Sequence, residues 1–137
     1  MSWSSISARG PQARFGHIVA FFEGVVYVIG GATAAGTDGV VSVLNDIWLY
    51  RFKTASWERV NPASALPPAR YGHASGIAGY DIVIHGGRDA QGSALGDIWL
   101  YSTKSKIFFL LQFIYRFVDS KRVEVARQAQ SRPRASL

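Results

Sequence analysis

The chain has 137 residues, of which 48% are hydrophobic and 13% aromatic, a composition typical of a folded globular domain and not of a disordered or fibrous protein. It contains no cysteine, which excludes disulfides, thiolate metal sites and cysteine nucleophiles and favours a cytoplasmic protein. The first residues lack a secretion-signal pattern, and no apolar run approaches the roughly 20 residues that span a bilayer.

The net charge of +6 is carried by one end of the chain. Residues 1–101 contain seven basic and seven acidic side chains, whereas residues 102–137 contain eight basic and two acidic ones. All the glycines lie at or before Gly96. The body of the chain is therefore neutral, which argues against specific nucleic-acid binding, and a region of different character begins near residue 102.

Three segments of the chain occur twice in the same order, which indicates an internal repeat. The segment PQARFGH at 11–17 recurs as PPARYGH at 67–73, with the shared arginine 56 positions on. VIGG at 28–31 recurs as IHGG at 84–87, also after 56 positions. LNDIWLY at 44–50 recurs as LGDIWLY at 95–101, after 51 positions, so the second copy is shorter between its diglycine and its Asp-Ile-Trp.

Each copy divides into short β-branched and aromatic runs separated by Gly, Pro or polar residues, which is the pattern of strands. In the first copy we predict strands at 17–22, 25–29, 46–52 and 56–60, with a hairpin at Glu23-Gly24. The runs are apolar almost without alternation, so both faces of each sheet are expected to be covered. Four-stranded antiparallel sheets repeated at about 50 residues predict an all-β protein built of propeller blades.

These residues resemble the kelch repeat, whose hallmarks are a diglycine closing the second strand and a Tyr and a Trp further on. The matching residues are Gly30, Gly31, Tyr50 and Trp57 in the first copy, and Gly86, Gly87, Tyr101 and Phe108 in the second. The resemblance implies structural roles for them. Arg14 and Arg70 are the other repeated hallmark; we expect each to be tied to a local carboxylate or carbonyl, and partner binding is the alternative.

The predicted kelch region covers residues 1–108, with repeat one at 11–60 and repeat two at 67–108. Residues 2–7, which include Trp3, match the last strand of a preceding blade. Because propellers close with about 4 to 8 blades, two blades predict an incomplete propeller that needs further kelch blades, in a longer chain or in an oligomer.

Residues 109–137 are predicted to be an apolar and then basic tail outside the repeat pattern, either helical or disordered. Its apolar part is too short to cross a bilayer. The sequence leaves two interpretations open, a segment foreign to the fold and an amphipathic helix at a membrane surface.

No catalytic, cofactor-binding or metal-binding residue is predicted. His17 and His73 occupy equivalent repeat positions, His85 lies inside a predicted strand, and neither a nucleophile elbow nor a phosphate-binding loop occurs. Asp46 and Asp97 also repeat, which favours a turn or cap role over acid–base catalysis. The function indicated is a scaffold or substrate adaptor; the alternative is a piece of a propeller enzyme whose active site lies in other blades.

In a four-strand meander the connections alternate between two rims, so the long ones, residues 32–43, 88–94 and 61–68, are expected to share a rim. Scaffolded loops often carry binding residues. A protein or peptide is therefore expected to bind this rim, and the candidate partner-binding residues are Thr37, Asp38, Arg88, Asp89 and Gln91.

Overall fold

The computed structural model describes residue 2 and residues 9–111 as two four-stranded antiparallel sheets, each a meander in chain order. Blade one consists of β1 (Ile18–Phe22), β2 (Val25–Ala32), β3 (Val43–Arg51) and β4 (Ser56–Val60). Blade two consists of β5 (Ala74–Ala78), β6 (Asp81–His85), β7 (Ile98–Ser102) and β8 (Ile107–Leu111). The predicted all-β fold of two four-stranded blades is confirmed.

The first hairpin forms where it was predicted. Phe22 pairs with Val25, which leaves a loop of two residues. Glu23 and Gly24 both have positive φ, 48° and 76°, as the mirror-image turns of two-residue hairpins require. The local sequence therefore fixes the register of β1 on β2.

The two middle strands of blade one are longer than the sequence predicted. β2 continues to Ala32 and β3 begins at Val43. The pairing shifts between Ile29 and Gly31, so that the ladder resumes with Gly31 opposite Leu44. A β-bulge at the diglycine thus lets β2 continue past Ile29, where the sequence predicted that the strand ends.

The predicted boundary of repeat two at Phe108 falls inside β8, which continues to Leu111. Phe108 pairs with Tyr101 as Trp57 pairs with Tyr50, so a phenylalanine occupies the tryptophan position. Phe109 pairs with Leu100 and is buried. Residues 109–111 therefore belong to the blade, and the rest of the predicted tail, like Trp3 and residues 4–7 of the preceding strand, lies outside the described residues.

One hydrophobic core joins the two sheets. It contains buried side chains from β1–β4 of blade one and from β6–β8 of blade two, namely Ile18, Ala20, Tyr27, Ile29, Ile47, Leu49, Val60, Ile82, Ile84, Trp99, Tyr101 and Phe108. The outward face of β1 is different, since Val19 and Phe21 are 57% and 60% exposed. Core contacts cover the face between the two blades, and the outward face of β1 remains the surface that a further blade is predicted to cover.

Candidate functional site on the long-loop rim

Blade one is held together at its rim by an ion pair between Arg14 and Asp46. Arg14 donates from Nη1 to Asp46 Oδ1 at 2.6 Å and from Nη2 to Oδ2 at 3.0 Å. It also donates to the carbonyls of Gly30, at 3.0 Å, and Gln12, at 3.2 Å. The indole of Trp48 donates to Asp46 Oδ2 at 2.9 Å. The arginine side chain is only 4% exposed, so its donors are used within the blade.

Blade two repeats this arrangement. Arg70 donates to both oxygens of Asp97, at 2.7 and 2.8 Å, and to the carbonyls of Gly86 and Pro68. Trp99 donates to Asp97 Oδ2 at 2.6 Å. Each arginine is thus tied to a carboxylate and two carbonyls of its own blade. Each of the two aspartates accepts hydrogen bonds from an arginine and from a tryptophan indole. This replaces the turn or cap role that the sequence suggested.

These contacts keep both aspartates ionised. Burial alone would raise the pKa of Asp46, but hydrogen bonds from Arg14 and Trp48 outweigh it and lower that pKa. For Asp97 the hydrogen bond from Arg70 is the largest influence and lowers the pKa against a smaller effect of burial. Both carboxylates are therefore the charged partners of their arginines at neutral pH.

The second glycine of each diglycine is required by close backbone approach. Gly31 has φ 98°, and a Cβ there would lie 2.8 Å from the Phe15 carbonyl oxygen and from His17 Cβ. Gly87 has φ 89°, and its Cβ would lie 2.8 Å from the Tyr71 carbonyl oxygen. Both positions exclude any side chain on grounds of space as well as of backbone angle.

The link from β4 to β5 forms a seam between the blades. The Arg70 amide donates to Leu44 O at 3.1 Å, its carbonyl accepts from Gly31 N at 2.9 Å, and Gly72 N donates to Gly16 O at 2.8 Å. Arg70 therefore contacts blade one with its main chain and blade two with its side chain. These contacts between the blades could not be predicted from the residue pattern, because any residue can make main-chain hydrogen bonds.

His73 is buried beside this seam. Its imidazole packs against Gly30 of the other blade: a Cβ added at Gly30 would lie 3.0 Å from His73 Cε1. Burial, with the nearby positive charge of Arg70 as the next cause, lowers the pKa of His73 to about 4. The imidazole is therefore neutral at physiological pH.

Residues 33–42, 61–73 and 86–97 connect strand ends on the same side of the two sheets, which we call the long-loop rim. In the first of these loops Thr33 N donates to Ser42 O at 2.9 Å, and Asp38 Oδ1 accepts from Val40 N at 3.0 Å. Thr37 and Asp38 are exposed. Asp38 thus shapes its loop, and Thr37 has no hydrogen bond within the described part of the chain.

The 86–97 loop is braced by two of the predicted partner-binding residues. Asp89 Oδ1 accepts from Gln91 N and from Ser93 N, both at 2.9 Å. Arg88 Nη1 donates to Gly92 O at 2.7 Å. The Gln91 side chain is exposed and unbonded among residues 9–111. Arg88 and Asp89 therefore hold the loop in shape, and Gln91 is the side chain it presents.

An aromatic pair that was not predicted from the sequence lies on this rim. The rings of Phe15 and Tyr71 are 6.1 Å apart in an edge-on arrangement, and Phe15 is 46% exposed. Phe15 bridges to Ala32 and Tyr71 to Arg88, so the pair lies where both loops begin. The signal was present, since both rings belong to the repeated Arg-aromatic-Gly-His segment.

Over the described ranges no group of three or more His, Asp, Glu or Cys residues is placed to hold a metal ion. The same residues contain no helix long and apolar enough to cross a membrane. His85, exposed, has Nδ1 3.2 Å from the Asp97 carbonyl oxygen.

Comparisons with known proteins agree with this architecture. A solved structure, that of YjhT, aligns with a TM-score of 0.62 at 17% identity over 74% of this chain and 39% of its own; this likeness shows the fold. Tip elongation aberrant protein 3 of Schizosaccharomyces pombe is 36% identical over 93 residues, which are 67% of this chain and 8% of that protein.

Two further relatives carry the kelch name. An F-box/kelch-repeat protein of Arabidopsis thaliana is 31% identical over 73% of this chain and 21% of its own length. Kelch domain-containing protein 10 of Rattus norvegicus is 30% identical over 70% of this chain and 23% of its own length. The chain thus spans less than a quarter of these curated relatives. The model of the KLHDC2/KLHL20/DRC7 Kelch-repeats domain matches residues 1–126, and the chain belongs to the kelch-repeat family.

Proposed function

We propose that this chain is a protein-interaction module whose long-loop rim binds a protein or peptide, as part of a scaffold or a substrate adaptor. Kelch repeats generally mediate protein–protein interactions, which supports this class of function. The observation that carries the proposal is the exposed rim itself, formed by three long connections of both blades above a rigid pair of sheets.

The loops of the rim are braced by hydrogen bonds of their own. Asp38, Arg88 and Asp89 hold their loops through hydrogen bonds of 2.7–3.0 Å. Loops fixed in this way lose little conformational freedom on binding, which favours affinity. Phe15 supplies an exposed aromatic ring between the loops, and rings in such positions often dominate the binding energy of an interface.

The test compares rim variants with a matched variant on the opposite side of the blades. Thr37→Arg and Gln91→Arg place a bulky charge on the long-loop rim, and Phe15→Ala removes the exposed ring. Ser105→Arg makes the same change at an exposed turn on the opposite side. Proteins captured by the whole protein that carries this chain are quantified for each variant, and the partner's Kd is then measured by calorimetry.

We expect the three rim variants to weaken the Kd at least tenfold, while Ser105→Arg leaves it unchanged. Equal affinity in the rim variants and the wild type would place the partner elsewhere. Arg88 and Asp89 are not used, because their loss would change the loop's shape as well as its surface.

The alternative function is a piece of a propeller enzyme. One relative named for a reaction, a tRNA wybutosine-synthesizing protein of Arabidopsis thaliana, is 30% identical over 58% of this chain but only 7% of its own length. The coding sequence on either side of this chain discriminates the two functions. Neighbouring blades that carry a histidine and carboxylate cluster would favour the enzyme.

A further inference from the structure

A cavity of about 280 Å³ opens between the two blades on the side opposite the long-loop rim. This side carries the short turns at 23–24, 52–55 and 103–106, and we call it the short-turn rim. The lining is mixed, with Tyr27 and Arg51 from blade one and Tyr101 and Lys106 from blade two. A concave site with a few convergent polar groups is the usual form of a small-molecule site.

An unpaired hydroxyl lies behind the wall of the cavity. Tyr101 is fully buried, at 0% exposure, and its Oη has no hydrogen-bond partner among the described residues. A buried hydroxyl without a partner costs free energy, and such groups in native proteins call for an explanation. Tyr101 borders the cavity, so a small rotation of its ring would bring this hydroxyl to a ligand that accepts a hydrogen bond there.

A second tyrosine stands beside the first. The rings of Tyr27 and Tyr101 are 6.1 Å apart, and both residues line the cavity. Burial raises the pKa of both phenols above the ordinary value. Each hydroxyl therefore stays protonated at neutral pH and is available as a donor.

Positive charge exceeds negative charge around the cavity. Three cations line it, Arg51, Lys104 and Lys106, against the single carboxylate Glu23. Glu58, next to the cavity, is shared by two of the cations, at 3.2 Å from Arg51 Nη2 and 3.7 Å from Lys106 Nζ. Even with Glu58 counted, one positive charge is left over to meet an anion.

The repeat does not dictate three of the blade-one residues in the lining, because blade two has other residues at the matching positions. Glu23, Tyr27 and Arg51 of blade one correspond to Gly79, Val83 and Ser102 of blade two. The strand registers confirm the match, since Arg51 pairs with Val25 as Ser102 pairs with Asp81. The repeat explains Tyr101, whose equivalent is Tyr50, but not the charged and hydroxyl groups that face it.

We infer that this inter-blade cavity binds a small organic anion with a carboxylate or phosphate group. Arg51 and Lys106 pair with the anionic oxygens, and Tyr101 and Tyr27 donate hydrogen bonds to them. The volume accommodates the acidic group and a short organic body. The cavity lies on the opposite side of the blades from the long-loop rim. A protein partner can therefore bind the long-loop rim whether or not the cavity holds an anion.

The test measures binding of inorganic phosphate, glutarate and the neutral glutaramide to the whole protein that carries this chain, by calorimetry at constant ionic strength. Tyr101→Phe removes the unpaired hydroxyl and keeps the ring; its matched control is Tyr50→Phe, at the equivalent position of blade one and away from the cavity. Arg51→Gln removes one positive charge near the cavity, and Arg59→Gln, on exposed β4, removes one elsewhere.

We expect phosphate or glutarate to bind. The Kd should weaken about tenfold in Tyr101→Phe and in Arg51→Gln, because a hydrogen bond to a charged group typically contributes that much. Both control variants should bind as tightly as the wild type. If only phosphate binds, the ligand carries a phosphate group. If only glutarate binds, it carries a carboxylate group. Glutaramide binding as tightly as glutarate, no binding of either anion at millimolar concentration, or equal losses in variants and controls would overturn the inference. Tyrosine-ring NMR signals show that each variant is folded and report contact with the anion directly.

Discussion

At the scale of single residues, the buried ion pairs are the features most sensitive to substitution. Asp46→Ala would leave the Arg14 guanidinium, 4% exposed, without its counter-charge. We expect a loss of about 3–5 kcal/mol in the free energy of unfolding, as for other buried pairs that lose one partner. Denaturant unfolding of the whole protein that carries this chain, with and without the substitution, measures this loss.

Glu58→Ala is the matched control, because it removes a carboxylate from an exposed pair with Arg51. Exposed pairs contribute about 0–1 kcal/mol. Equal losses in Asp46→Ala and Glu58→Ala would show that the arginine–aspartate pair does not stabilise the blade.

His73 makes the stability of the blade seam dependent on pH. Its pKa is about 4 in the folded protein and about 6.5 when unfolded, so between these values the unfolded chain binds more protons. Stability is then complete above pH 6.5, falls as the pH drops toward 4, and loses up to about 3 kcal/mol below that. Thermal melts from pH 7 to pH 4 measure the decline.

His73→Gln should remove this part of the pH dependence, whereas His85→Gln, at an exposed position, should retain it. Identical pH profiles for the wild type and His73→Gln would rule out His73 as the titrating group.

At the scale of elements, the turn between β3 and β4 contains a strained residue. Ala55 has φ 48°, and Lys106 has φ 56° at the same place in blade two. A side chain in this left-handed region costs about 1–2 kcal/mol, which glycine avoids although it gains freedom in the unfolded chain. Ala55→Gly is therefore expected to raise the free energy of unfolding by up to about 1 kcal/mol.

Lys53→Gly in the same exposed turn is the control, because Lys53 has no positive φ. It should destabilise by about 0.4–1 kcal/mol, because glycine gives the unfolded chain more freedom. A loss of stability in Ala55→Gly would contradict the prediction, because it would mean that the positive φ of Ala55 costs little free energy.

The blades could be predicted from sequence because their information is local and repeated. The hairpin at Glu23-Gly24 and the pairing of Tyr50 with Trp57 follow from residue type and spacing. The end of β8 was misplaced because Ile107–Leu111 is so apolar that it merged with the run that follows. The contacts of His73 and Arg70 with blade one depend on how the blades pack, which no single segment encodes.

At the scale of the whole molecule, the exposed apolar face of blade one predicts self-association. Val19 and Phe21 of β1 and Phe52 in the turn between β3 and β4 are each more than half exposed. Repeat proteins gain much of their stability from the interfaces between units, and large apolar surfaces on a lone chain favour aggregation. We expect the 137-residue chain, expressed alone, to self-associate or to unfold partially.

Size exclusion with light scattering, followed by a thermal melt, measures this. A cooperatively melting monomer of 15.0 kDa would show instead that two blades suffice as a fold. Co-expression with further blades of the whole protein should restore a single defined species.

The seam at Arg70 bears on how such repeats can be exchanged during evolution. Across the seam Arg70 uses only its amide and carbonyl, and Gly72 meets Gly16 in the same way. Every residue except proline has both of these groups, whereas the side-chain partners of Arg70 all lie in its own blade. A recombination breakpoint within 61–66 would thus insert a foreign blade complete with its own arginine and aspartate. The main-chain hydrogen bonds of the joint would re-form with any new neighbour, so that only the side chains packed between the blades would have to match.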